Sequence, residues 1–275
     1  MKLSATFNFF DGGELLVPVL QSIRPHVDHL SVVFQERSNY GNPSSQISRV
    51  ALQEATALGL IDSLLSYTPD LALRGGRNEF RKRVMGLECA KAAGADHLMF
   101  CDVDEFYVPQ QLEDAKRFIE EHGIDFTTVS YVNYYGRPTL QLRGIGAEHV
   151  PNHQTAFICR LTEQTTHEFC GWYPVDQVDP TRCIYVKGGK HHIFSAQDIT
   201  MHHMTGIRLD IEEKLKNSSC NDVPSVIKQI RENFASLPQL IQGSHTLANG
   251  LTVHLDEVPD FFNLTAVLRL AAKDK

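Results

Sequence analysis

The feature that most constrains this chain is a short apolar run, Leu98-Met99-Phe100-Cys101, that empties into Asp102, Asp104 and Glu105. An unbroken run of that length reads as a strand buried on both faces, as in the middle of a parallel sheet. Carboxylates at the carboxyl end of such a strand lie at the rim of the crevice where open α/β sheets bind ligands. In a regular strand Asp102 and Asp104 share one face, with Val103 on the other. Three negative charges this close repel one another, and a divalent cation with oxygen ligands would hold them together. A solvated acidic turn is the alternative use of the same residues. The buried strand ahead of them favours a metal–phosphate site.

Strand and helix patterns alternate through the first half. Strands are predicted at Leu3 to Phe10, His29 to Phe34 and Ile61 to Ser66, and helices at Glu14 to Ile23, Ser45 to Leu58 and Arg77 to Ala93. Gly59 and Gly94 stand where the second and third helices should stop. This βαβα order implies a parallel sheet with right-handed crossovers. Beyond the carboxylates a helix is predicted at Gln110 to Glu121 and an aromatic strand at Phe126 to Tyr135. Shorter strands and loops follow to Lys190, then helices at Leu209 to Lys216 and Val223 to Phe234, and a strand at Leu251 to Leu255. No repeat or linker divides the chain. The expectation is one α/β domain over residues 1–275, with a nucleotide-facing half over about 1–108 and an acceptor-facing half over about 109–275.

Composition narrows the class without naming any chemistry. At 275 residues, 42% hydrophobic and 21% charged, the chain can bury a full core. Its net charge of −7 leaves no electrostatic footprint for nucleic acid. No apolar run is long enough to span a membrane, and the first residues read as a strand, so the expected address is cytoplasmic. The six cysteines are scattered without a C-x-x-C pair, which predicts buried reduced thiols rather than a disulfide framework.

Two further clusters bear on a site. His191-His192 and His202-His203 offer neutral imidazoles, good ligands for Mn²⁺, Zn²⁺ or Fe²⁺, and one of them could complete a set with the two aspartates. Arg74, Arg77, Arg81, Lys82 and Arg83 crowd the start of one helix. They form either a solvated face or a set in which one or two cations reach a nucleotide phosphate.

Together these residues resemble the nucleotide-sugar glycosyltransferases of GT-A fold. Asp102-x-Asp104 is similar to their D-x-D motif, and Asp102-Val103-Asp104-Glu105-Phe106-Tyr107 looks like the D-x-D-E-F-Y variant of small bacterial and viral members. Lys82-Arg83-Val84-Met85-Gly86-Leu87-Glu88-Cys89-Ala90-Lys91 resembles the K-R-N-x-G-L-x-x-A-K helix of family 2-like members, with Val84 where Asn is usual. The segments Pro174 to Arg182 and Met201 to Arg208 also match, so the resemblance runs from the first strand to about Ser219.

The resemblance implies a single Rossmann-like domain with a mostly parallel central sheet flanked by helices. It also implies transfer of a hexosyl or pentosyl group from a nucleoside-diphosphate sugar to a hydroxyl acceptor, the expected partners being glycans or glycoconjugates, with Mn²⁺ or Mg²⁺ holding the diphosphate. By motif position Asp104 is a direct metal ligand, and Asp102 contacts the ribose, the metal or a metal-bound water. His202 or His203 matches the third ligand. Asn8, Asp11 and Gln35 match the base-binding edge. Independently of the resemblance, Arg77 and Arg83 are the cations of the basic cluster expected to reach the nucleotide. For an inverting transfer, Asp179 is the expected general base, ahead of Asp176. A haloacid-dehalogenase-like phosphatase also places D-x-D after a strand, but on its first strand. A non-catalytic sugar-binding protein would explain the aromatic Tyr131 to Tyr135 stretch but not the carboxylates.

Overall fold

The computed structural model describes residues 1–145, 154–171, 173, 175, 179–235, 241–246, 250 and 252–272. Its first half alternates as the sequence predicts: β1 (Leu3–Phe9), α1 (Gly13–Ile23), β2 (His29–Phe34), α2 (Gln46–Ala57), β3 (Ser63–Ser66), α3 (Gly75–Ala92) and β4 (His97–Asp102). β1 and β2 are buried along their whole length, and β4 is buried up to Asp102. β1 lies between β2 and β4 in parallel register, with Asn8 opposite both Val33 and Asp102. The carboxyl ends of three strands therefore finish along one edge. α3 packs so tightly on β1 that a Cβ at Gly86 would collide with the Thr6 side chain. Gly94, at φ +69°, turns the chain out of α3 as its position predicts.

The second half runs through β5 (Glu105–Phe106), α4 (Pro109–His122), β6 (Phe126–Tyr135), β7 (Leu140–Ile145), β8 (Gln154–Arg160), β9 (Thr165–Glu168), β10 (Cys183–Val186), β11 (His191–Ile193) and β12 (Thr200–Gly206). It ends with α5 (Ile211–Asn217), α6 (Pro224–Ala235), β13 (Gly243–Thr246), β14 (Thr252–Glu257) and α7 (Leu264–Ala271).

The result is a mixed α/β fold with a large central sheet flanked by helices. The sheet runs β13-β14-β7-β6-β8-β4-β1-β2-β3, with β11 and β12 also pairing with β6. It is not mostly parallel. β8 enters antiparallel between β4 and β6, and β6, β7, β14 and β13 continue antiparallel. Parallel pairing is kept in β4-β1-β2-β3 and where β11 and β12 meet β6. A strand buried on both faces carries the same apolar run whichever way its neighbour points, so the pattern could not reveal the inserted β8.

The cysteines also depart from expectation. Cys170 and Cys183 form a disulfide, while Cys101 and Cys159 are buried thiols and Cys89 and Cys220 half-buried ones. A separation of 13 residues with no spacing motif gave no sign of the pairing. No described helix is long and apolar enough to cross a membrane.

Candidate functional site

A cleft of about 350 Å³ opens at the carboxyl ends of β1, β2 and β4. Asn8 from β1, Gln35 just after β2, Asp102 at the end of β4 and Asp104 in the turn beyond it all line this cleft, as do Asp11, Asp179 and His203. Asn8, Gln35 and Asp102 meet at one edge because parallel strands end together, and Asp179 and His203 reach the same cleft from the second half of the chain.

The carboxylates of the acidic turn are held by cations of the chain itself. Asp102 receives Arg83 Nη2 at 3.1 Å and Arg182 Nη2 at 2.6 Å. Arg182 also donates to both oxygens of Glu105, while Glu105 Oε2 accepts the Asp102 amide. Burial works to raise the Asp102 carboxyl, but Arg83 and Arg182 hold it below its ordinary range. Both arginines are almost fully buried, so their charge is balanced within the protein.

Asp179 belongs to the same network. Its Oδ1 caps a short turn by accepting the Thr181 amide at 2.8 Å and the Thr181 hydroxyl at 2.6 Å. Its Oδ2 accepts Arg83 Nη2 at 3.0 Å and Arg182 Nε at 3.1 Å. Burial opposes ionisation, yet Arg83, Arg182 and the Thr181 hydrogen bonds pull the carboxyl down to about 2. Such a group is a poor proton acceptor near neutrality and a strong anchor for two guanidinium groups. Asp176 lies outside the described residues.

Asp104 sits in a second cluster. Its Oδ2 accepts Arg208 Nη2 at 2.7 Å and Lys214 Nζ at 2.8 Å, with His203 Nε2 at 3.6 Å. Burial raises its carboxyl, but Lys214, Arg208 and His203 together hold it well below the usual range. His203 Nδ1 lies 2.7 Å from Asn133 Oδ1, and in the tautomer in which Nδ1 donates to that oxygen, Nε2 presents its lone pair on the Asp104 side. Burial pushes the His203 imidazole down to about 4, despite Asp104, and so keeps it in the neutral, ligating form. Carboxylate oxygen plus an oriented neutral imidazole is a donor pair suited to Mn²⁺, and the Asn133 contact is the outer support such ligands use.

Among the described residues, three metal-ligating side chains converge at Glu168, Cys170 and Cys183, where both sulfurs are already in the disulfide. At Asp104 the chain supplies two donors. The remaining positions of a cation there would fall to ligand oxygens and water.

The other expected residues fall on either side of the cleft wall. His202 points away from Asp104: its Nδ1 lies 2.7 Å from the Tyr134 hydroxyl, and its ring packs on Phe261 and Phe262. His191 stacks on Phe126, and His192 packs on Phe118 and Phe194. Arg77 lies over the Phe169 ring, 4.1 Å from its centre, and does not line the cleft. Arg83 is buried behind Asp102. Asp11 lines the cleft, its carboxyl raised by burial against the pull of Arg208 and Lys214.

Four residues had no role in the sequence reading: Arg182, Arg208, Lys214 and Glu79. Arg182 and Arg208 close the two motif-like segments after Pro174 and Met201, which was a usable signal. Lys214 and Glu79 look like ordinary helix-surface charges and carried none.

No protein-family model matches the chain, and no curated protein matches it. Among solved structures it is similar to GalNAc-T7 with UDP, GalNAc and Mn²⁺, at a TM-score of 0.48 and 11% identity over 86% of this chain and 50% of that one. It is similar to S. aureus TarS 1–349 at a TM-score of 0.45 and 15% identity, over 86% of this chain and 71% of that one. Against S. aureus TarS 1–349 in complex with UDP-GlcNAc the values are 0.37 and 19%, over 50% of this chain and 36% of the other. The chain thus spans little more than a third of the UDP-bound TarS structures. Function has to be read from the chemistry of the cleft.

Proposed function

We propose that this chain is a glycosyltransferase that moves a sugar from a nucleoside-diphosphate sugar to a hydroxyl of a glycan or glycoconjugate. The observation that carries this reading is the second cluster. Arg208 is buried in the cleft wall with Nε and Nη1 unpartnered among the described residues, while Nη2 holds Asp104 beside Lys214 and His203. Unsatisfied guanidinium donors next to a lysine suit phosphate oxygens. A carboxylate–imidazole pair in the same place suits the divalent cation that accompanies a diphosphate.

In this reading Asp104 and His203 hold Mn²⁺ or Mg²⁺. The cation would neutralise charge on the departing diphosphate. Arg208 and Lys214 bind and orient the phosphates, and Asn8, Asp11 and Gln35 face the nucleoside. Asp179 enters as the anchor of Arg83 and Arg182, in place of the base role expected from its position in the chain. The phosphatase alternative would carry its D-x-D on the first strand, whereas Asp102 ends β4, about a hundred residues into the chain.

The test is a donor screen that measures released nucleoside diphosphate with and without Mn²⁺. Metal-stimulated release from at least one nucleotide sugar is expected. Release of inorganic phosphate from simple phosphomonoesters, with no nucleotide sugar consumed, would overturn the reading in favour of the phosphatase.

A further inference from the structure

The nucleoside end of the cleft contains a chain of amides whose polarity is fixed by one carboxylate. Glu79, on α3, accepts from Asn8 Nδ2 at 3.2 Å and from Asn39 Nδ2 at 2.7 Å. Asn39 Nδ2 also faces the Gly75 carbonyl at 3.3 Å, so two acceptors define which end of that amide is nitrogen. Asn39 Oδ1 is then left to accept Gln35 Nε2, at 3.4 Å. Turning either asparagine amide over would set its oxygen against a carboxylate. The relay therefore ends in two carbonyl oxygens, Asn8 Oδ1 and Gln35 Oε1.

Both oxygens are buried, and neither has a partner among the described residues. Asn8 is 6% exposed and Gln35 1% exposed, and both residues line the cleft. Leaving two carbonyl oxygens unsatisfied costs free energy that a bound group can recover only by donating to them. Asn8 and Gln35 sit at the ends of the adjacent parallel strands β1 and β2, with the Gln35 amide bonded to the Phe9 carbonyl. Gln35 is thus one step beyond the last paired residue, and its side chain falls on the same face of the sheet as that of Asn8.

We propose that Asn8 Oδ1 and Gln35 Oε1 read the nucleobase of the donor, and that the base they select is guanine. This rests on the proposed function and deepens it. Two acceptors on one face of the sheet, at the ends of adjacent strands, are matched by two neighbouring donors on one edge of a base. Guanine presents N1–H and the N2 amino group together. Uracil presents one N–H flanked by two carbonyl oxygens, which would face the amide oxygens as like partners. Cytosine and adenine each place a lone-pair nitrogen beside their amino group.

The experiment is calorimetric titration of the full chain with GDP, IDP, UDP, CDP and ADP in the presence of Mn²⁺. GDP is expected to bind tightest. IDP keeps N1–H but lacks the amino group, and should bind about tenfold or more weakly because one buried acceptor stays unpaired. Glu79→Gln releases the polarity of the relay, so the ratio of GDP to IDP affinity should fall toward one in a protein shown to be folded by circular dichroism. UDP or CDP binding as tightly as GDP would overturn the base assignment while leaving the glycosyltransferase reading intact. Equal affinities for GDP and IDP would do the same. Absence of binding by all five nucleotides would overturn both.

Discussion

Adjacent histidines on one strand show how much a single side-chain direction decides. His202 and His203 differ by one position on β12, so they face opposite sides of the sheet. His203 meets Asp104, whereas His202 meets the Tyr134 hydroxyl. His203→Ala should therefore weaken Mn²⁺ binding in the presence of a nucleoside diphosphate by tenfold or more, as read by calorimetry. His202→Ala should leave that affinity unchanged and instead cost about 1–3 kcal/mol of stability by orphaning the tyrosine hydroxyl. Equal, small effects on metal affinity would remove His203 from the site. Asp179 invites a second substitution. Because its oxygens hold Thr181, Arg83 and Arg182, Asp179→Asn should lower the melting temperature, donor affinity and transfer rate together. Loss of transfer alone by about 10²-fold or more, with affinity and melting unchanged, would restore it as the general base. The sequence pointed to the acidic turn, to His202 or His203 without choosing between them, and to the strand-end polar residues. It could not show that Asp102 and Asp179 are neutralised by Arg83 and Arg182, because Arg83 lies 19 and 96 positions from the two carboxylates and Arg182 lies 80 from Asp102, separations that leave no local pattern.

At the scale of elements, the helices and strands of the first half were legible because each carries its own signal. The apolar runs of β1, β2 and β4 and the stop glycine after α3 act locally. Strand direction in the second half is a property of neighbours, and β8 between β4 and β6 belongs to that class. So does the disulfide, which joins the segment after β9 to the start of β10 and closes the stretch that carries Asp179, Thr181 and Arg182. Closing a loop of 13 residues stabilises by roughly 3 kcal/mol in the chain-entropy account. Cys183 is fully buried, so the bond is shielded until that segment loosens. Cys170→Ser is expected to lower stability by about that amount and to weaken nucleotide binding, since Arg182 and Asp179 lose a fixed base. Retention of both properties, measured by denaturant titration and calorimetry, would show that the arginine network holds the segment unaided.

Across the whole molecule, the balance of buried imidazoles and buried carboxylates sets how the fold responds to acid. Burial pushes His167, His202 and His203 each down to about 4, from an ordinary 6.5. In the unfolded chain these rings take up protons as pH falls through 6.5, while in the folded protein they stay neutral until about 4. The unfolded state therefore binds more protons in that window, and stability must fall as pH falls. His202 alone can contribute up to roughly 3 kcal/mol of that loss. Glu105 acts the other way, because burial, opposed by Arg182, raises its carboxyl from 4.5 to about 7. Three imidazoles outweigh one carboxyl between pH 6.5 and 4. The carboxylates held low by cations, Asp104 and Asp179, keep their contribution through the same window and lose it only below the unfolded value of 3.8. The melting temperature should thus decline steadily from pH 6.5 to about 4, and His202→Gln should make that decline shallower while lowering the plateau near neutrality. A melting temperature flat across this range would mean that the imidazoles are charged in the folded protein, and with it the neutral, ligating state of His203 would fall.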